Sequence, residues 1–217
     1  MTKNALRRYT NLASTLHILR NRQLTLLSPE TWDDRNDAFF MSEYRRLRNV
    51  KTVLAICLAD RGETYHHWQV FSRGSDGVCI EFDRRQLLAA FSRVEGLNHR
   101  RVEYALMSTA SSMNDVDLEI LPFTKRWAYG DEREYRAVFV SSEEELTFFP
   151  VAIELASIKR ITLSPWLAPG LVHAVKETLN SLPGCGDLKV TRSTLIDNKK
   201  WQKLTGRVVP TPSVPFP

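Results

Sequence analysis

Residues 129–140 read YGDEREYRAVFV, and how this stretch is parsed decides the fold. Gly130-Asp131 is a turn signal, and Tyr135, Ala137, Val138, Phe139 and Val140 form a run with strand character. If the strand begins near Glu132, successive side chains take opposite faces, so Glu132, Glu134 and Arg136 share one. Two carboxylates then sit roughly 7 Å apart at the open end of a strand, where they repel each other. Two readings are open. Either carboxylate can pair with Arg133, Arg136 or Lys125 at a solvated edge. Alternatively the pair does chemistry: breaking an N-glycosidic bond develops positive charge on a sugar, which one carboxylate stabilises while the other accepts a nucleophile's proton.

Working outward, KTVLAICLAD (51–60) is apolar without a break from Val53 to Leu58, the pattern of a strand buried on both faces. GVCIEFD (77–83) is a second strand, opened by Gly77 and stopped by Asp83. Shorter strands are expected within residues 6–10, 23–29, 100–106, 147–155, 158–165 and 187–195. Asn11 is a candidate N-cap for a helix with Leu12, Leu16 and Leu19 on one face. Further helices are expected within residues 38–48, 84–94 and 167–182, the last ended by Pro183-Gly184. Strands and helices mix without a strict alternation, which indicates an α+β fold. Residues 1–207 are expected to form a single α+β domain. Residues 208–217 (VVPTPSVPFP) carry four prolines and are expected to be an extended or disordered tail.

The chain has 217 residues, a net charge of +5 and a pI near 9.2, a balance that favours an acidic partner such as nucleic acid. Cys57, Cys79 and Cys185 are few and far apart and read as reduced thiols. No cluster has metal-ligand spacing, no segment has the length of a signal peptide or membrane span, and a cytoplasmic protein without a metal is expected. The glycine-rich phosphate loops, the hydrolase elbow and the zinc-protease helix motif are absent. Two local features remain. Arg7-Arg8-Tyr9 is either a solvated basic turn or an anion fork. In YHHWQVF (65–71), Tyr65, Trp68 and Phe71 share a helical face, as core or as a stacking platform.

Taken in order, the blocks LTLLSPETWDDRND, WQVFSRGSDGVCIEF and KRWAYGDEREYR resemble the bacterial domain-of-unknown-function 2971 family over residues 6–196. That family has FNDPF[DE] where this chain has WDDRND, with Arg35 in place of the proline. The order of an arginine-bearing first strand, a central aromatic block and a late E-x-E strand also resembles the ADP-ribosyltransferases. This second resemblance implies split mixed β-sheets with flanking helices and NAD in a cleft between them. Carried over, Glu134 would bond the nicotinamide ribose and Glu132 would face the acceptor. Arg8 would hold an NAD phosphate or the carboxamide, with Tyr9, Trp68 and Ser72 completing the cofactor side. The Ser-Thr-Ser strand of those enzymes is missing: TASS (109–112) matches it only superficially, and Ser72 is taken for the position. The implied function is NAD-dependent ADP-ribosyl transfer to an intracellular acceptor. Nucleic acid would be drawn to a surface formed by Arg7, Arg45, Arg46, Arg48, Arg100 and Arg101. A toxin or anti-phage role with a neutralising protein partner would fit. The alternative is a non-catalytic nucleotide- or RNA-binding module.

Overall fold

In the computed structural model, strand β1 (Ala5–Asn11) runs into helix α1 (Leu12–Asn21), and Asn11 caps it by accepting the Ser14 amide at 2.8 Å. The structure describes residues 4–72, 74–108 and 117–207; the proline-rich tail at 208–217 and the TASS stretch at 109–112 lie outside the described residues. Strand β2 (Gln23–Leu27) follows, then a short 3-10 turn (Pro29–Thr31) and helix α2 (Arg35–Arg48), whose N-cap is Asp34. Next come β3 (Thr52–Ala59), α3 (Tyr65–Phe71), β4 (Gly77–Asp83), α4 (Arg84–Phe91), β5 (Leu97–Arg101) and β6 (Glu103–Ala105). The second half contributes β7 (Thr124–Arg126), β8 (Glu134–Ser141), β9 (Phe148–Ala152) and β10 (Ile158–Leu163). Helix α5 (Val172–Asn180), β11 (Val190–Arg192) and the short α6 (Lys199–Gln202) close it.

Among the described residues, nine strands form one mixed sheet in the order β11-β10-β4-β1-β3-β2-β9, with β8 branching from β3 and β5 pairing with β8. Among the described residues only β10 and β11 pair in parallel within it, and β6 and β7 make a separate parallel pair. The expected α+β architecture is therefore present. The sheet's backbone is the full-length register of β3 on β8, from Thr52 opposite Ser141 to Ala59 opposite Glu134. Burial on both faces of β3 follows its unbroken apolar run. Leu54, Ile56 and Leu58 enter the main core with Leu6, Ile80, Phe82, Ala137 and Phe139. Val53 and Ala55 pack on the other side with Met41 and Tyr44 of α2, Phe123 and Val138.

Two expectations change. Residues 100–106 do not make one strand: β5 ends at Arg101 on the edge of the large sheet, and β6 leaves to pair with β7. Nor does β8 begin at Glu132. Residues Trp127–Glu132 form a 3-10 turn, and Arg133 sits in the left-handed region (φ 46°) before the strand starts at Glu134.

The feature that creates a site is the meeting of β1 and β3. They are joined by a single backbone pair, Arg7 opposite Ala59, whereas β1 pairs with β4 along its whole length. The strands part beyond that pair, and Arg8 supplies the Cys57 carbonyl with a donor at 2.9 Å where β1 no longer does.

The turn into β4 is tightly packed. A Cβ on Gly77 would meet the Ser72 carbonyl oxygen at 2.5 Å and its Oγ at 2.6 Å. We expect Gly77→Ala to destabilise the protein by about 1–3 kcal/mol, the usual cost of overpacking, seen as a lower urea midpoint at unchanged slope. An unchanged midpoint would show that the turn has room to relax.

Candidate active site

The opening between β1 and β3 leads into a cavity of about 370 Å³. Its walls come from Arg7, Arg8 and Tyr9 of β1, Cys57–Ala59 of β3, residues 31–34 and Asp37 at the start of α2, and His67, Val70 and Phe71 of α3. Lys125, Tyr129, Glu132 and Glu134 complete it. Of the expected residues, Glu132, Glu134, Arg8 and Tyr9 thus meet in one place. Trp68 and Ser72 do not. Trp68 is fully buried behind Tyr9, and its indole nitrogen donates to Glu63 at 2.7 Å. Ser72 is spent on the turn before β4, donating to the Thr10 carbonyl at 2.6 Å and accepting the Val78 amide at 3.1 Å. Helical periodicity put Tyr65, Trp68 and Phe71 on a common stripe; in the fold only Trp68 is core, and Tyr65 and Phe71 are exposed.

Arg136 organises the charged wall. Its side chain is wholly buried, and each of its five N–H donors has an acceptor. Nε reaches Glu134 Oε1 at 2.7 Å and Nη2 reaches Glu134 Oε2 at 2.9 Å. Nη1 and Nη2 fork onto Asp37 at 2.9 and 2.7 Å, and Nη1 also donates to the Pro122 carbonyl at 2.7 Å. The guanidinium lies 4.7 Å from the centroid of the Trp32 ring. Lys125 adds a second cation, 2.7 Å from Glu132 Oε2, 3.5 Å from Asp37 and 3.7 Å from Glu134. So the two glutamates are indeed paired to Lys125 and Arg136, but in a buried network rather than at a solvated edge.

The two carboxylates are held in different states. Burial alone would push Glu134 up, but the adjoining Arg136 guanidinium, with Lys125 and the Cys57 thiol, brings its pKa down to about 2. Glu134 is ionised and fixed. Burial raises Glu132, and its one cationic partner, Lys125, does not offset the neighbouring charges of Glu134 and Asp37. Lys125, facing three carboxylates, is held protonated despite its own burial. Arg8 is desolvated, which lowers its pKa, and among the described residues its hydrogen bond to Cys57 is joined by no ion pair. Arg7 is instead paired with Glu81 at 2.6 Å. Carboxylates with split proton affinities beside a desolvated guanidinium suit a ligand that brings negative charge and develops positive charge during reaction.

Sequence reasoning did not find Asp37, Trp32 or His67 as part of this site. The acidic turn WDDRND was the one local signal for Asp37. His67 had none beyond its adjacency to His66.

No protein-family model matches the chain and no curated protein matches it, so no family model stands behind the resemblance to the domain-of-unknown-function 2971 family. Similar solved structures include Thermus sp. 2.9 DarT in complex with ADP-ribosylated ssDNA, at 12% identity and a TM-score of 0.44, over 89% of this chain and 95% of that one. The same protein in complex with NAD+ gives 10% identity and a TM-score of 0.45, over 89% and 96%. Among the described residues, no group of His, Cys, Asp or Glu could hold a metal ion, and no helix is long and apolar enough to cross a membrane.

The buried groups set a pH dependence. Burial keeps His67 neutral, with a pKa of about 4 against an ordinary 6.5. For a base depressed on folding, the contribution is complete above pH 6.5 and is lost as pH falls toward 4, by up to about 1.4 kcal/mol per unit. The depressed Glu134 is different: its contribution is complete above its ordinary value of 4.5 and is lost between there and pH 2. The melting temperature should therefore fall in both ranges, and His67→Gln should flatten only the first. Identical profiles between pH 6.5 and 4 for the two proteins would contradict a buried neutral His67.

Proposed function

We propose that this chain is an NAD-dependent ADP-ribosyltransferase whose cavity takes the nicotinamide end of the dinucleotide. The observation that carries this reading is the fixed, ionised Glu134 in the cavity wall at the β1–β3 opening. Arg136 engages one lone pair on each Glu134 oxygen, and a carboxylate has about four such positions, so acceptor capacity remains for a ribose hydroxyl. In the reaction the bond between ribose C1′ and the pyridinium nitrogen breaks. Its electron pair leaves with nicotinamide, which becomes neutral, and the positive charge passes to the ribose as an oxocarbenium-like centre. A preorganised negative charge stabilises that centre more than the ground state. The acceptor's lone pair then bonds to C1′ and its proton goes to Glu132, whose raised proton affinity suits a general base. Arg8 is assigned to an NAD phosphate or the carboxamide.

Glu134→Gln should reduce nicotinamide release on the order of 10²-fold or more, because the size is kept and the charge is removed. Glu132→Gln should lower transfer to the acceptor more than hydrolysis by water, and Arg8→Ala should chiefly raise the NAD concentration needed. The measurement is release of labelled nicotinamide alongside modification of nucleic acid. Full activity in Glu134→Gln would overturn the mechanism, and NAD binding without turnover in the wild type would leave a nucleotide-binding module.

For the acceptor, the geometry revises the basic surface. Arg7 is buried, and Arg45, Arg46 and Arg48 of α2 are paired: Arg45 with Glu30 and Glu145, Arg46 with Glu43, and Arg48 with Glu119. Arg100 and Arg101 lie on the exposed edge strand β5, whose end lies opposite Tyr135, next to Glu134; Arg101 pairs with Asp60 at 2.6 Å but keeps most of its side chain exposed. A nucleic-acid acceptor would be held there. We expect Arg100→Ala and Arg101→Ala to flatten the salt dependence of single-stranded nucleic-acid binding, each by about 0.7 in log–log slope for the phosphate it no longer neutralises. Equal slopes with intact activity would point to a protein acceptor.

A further inference from the structure

His67 lies in the cavity wall, fully buried, with both ring nitrogens engaged. Nδ1 is 2.6 Å from the Thr64 hydroxyl and Nε2 is 2.9 Å from the Glu132 carbonyl oxygen. A carbonyl can only accept, so Nε2 carries the proton and Nδ1 accepts from Thr64. The same Thr64 oxygen accepts the His67 amide at 3.2 Å and caps α3. Helix cap, imidazole and carbonyl therefore form one chain from α3 to the turn that carries Glu132. It attaches at a sensitive point, because the next residue, Arg133, takes the left-handed conformation that separates Glu132 from β8. The turn is tied on either side, by Arg61 to the Asp131 carbonyl and by the Asp60 amide to the Arg133 carbonyl. The Glu132 carbonyl itself is held by His67. The ring cannot swing away, packed 5.1 Å from Tyr9 and 5.7 Å from Phe71 by ring centroids.

We propose that His67 is a positioning residue: its Nε2–H fixes the backbone of Glu132 and through it the aim of the Glu132 carboxyl into the cavity. The proposal rests on the transferase reading only for its catalytic consequence. The charged and titratable groups that face the Glu132 carboxyl are Lys125 from β7, Asp37 from α2, Glu134 from β8 and Tyr104 from β6, and none of these holds the turn's backbone at residue 132. A misplacement of about 1 Å is enough to cost on the order of 10²-fold in a proton transfer.

The test compares His67→Met, which fills the space without a donor, with His67→Gln, whose amide reaches the same carbonyl. Two readouts are taken: the titration of the 13C-labelled Glu132 carboxyl, and the ratio of acceptor transfer to NAD hydrolysis. With H67M, Glu132 should titrate lower, toward the ordinary carboxylate range, as it gains solvent, and the ratio should fall about 10-fold or more. With H67Q both should return toward wild type. Should H67M fail to fold, Thr64→Val, which removes the hydroxyl that fixes the tautomer, should shift both readouts the same way by less. A folded H67M with wild-type titration and ratio would overturn the proposal, as would H67Q behaving like H67M. A wild-type protein that releases no nicotinamide would sink the transferase reading instead, and the Glu132 titration would still decide the role of His67.

Discussion

The buried guanidinium of Arg136 sets the arrangement on which the cavity depends. Taking such a cation out of water costs several kcal/mol, and pairing recovers this only when every donor is satisfied in good geometry. Here all five donors are, by Glu134 from its own strand, by Asp37 from α2 and by the Pro122 carbonyl. The cation therefore ties together three segments that the backbone ladder does not connect. Apolar side chains of similar volume could match its contribution to stability. They could not fix an ionised carboxylate at the wall of a cavity, and that is the more economical account of its presence.

The second constraint is the parting of β1 from β3. A sheet paired along its full length would have no opening between these strands, and the single Arg7–Ala59 pair leaves room for one. The divergence leaves the Cys57 carbonyl of β3 without a donor from β1, and the chain answers with the Arg8 side chain. The residues that bound the site are thus partly those that repair the sheet. Arg133 completes the geometry. Its left-handed conformation replaces the strand alternation that would have put Glu132 and Glu134 on one face, yet both still line the cavity.

Local pattern carried much of the fold. The apolar runs at 52–59, 77–83 and 134–141 became the central strands, because strands buried on both faces leave little ambiguity, and Asn11 caps its helix as its side chain dictates. The site was half legible. Glu132, Glu134, Arg8 and Tyr9 converge as the E-x-E spacing and the first strand suggested. Asp37 lies 99 residues from Arg136, and no short-range pattern encodes such a pairing. Trp68 was misplaced because periodicity states that a face exists, not what it meets, and Ser72, taken from the resemblance, because its hydroxyl is spent on the turn before β4. The left-handed turn at Arg133 was hidden because no glycine or asparagine marks it. Helix α2 looks basic in sequence, but Arg45 and Arg48 find glutamates outside the helix and Arg46 pairs with Glu43 within it.

The asymmetry between the two glutamates follows from their partners' chemistry. Glu134 faces a planar fork that grips both oxygens, which fixes direction and charge together. Burial raises Glu132, and the cation it faces, Lys125, is a point charge on a flexible stem shared among three carboxylates, so its proton affinity stays above the usual range. Environments that push two neighbouring carboxylates apart in this way separate an electrostatic role from a proton-accepting one. Exchanging the two cations would reverse the assignment: a fork on Glu132 would suppress its basicity, and a lone lysine would leave Glu134 free to protonate. In the proposed reaction, the division of labour between the two glutamates would therefore be set by the arginine at 136 and the lysine at 125 as much as by the glutamates themselves.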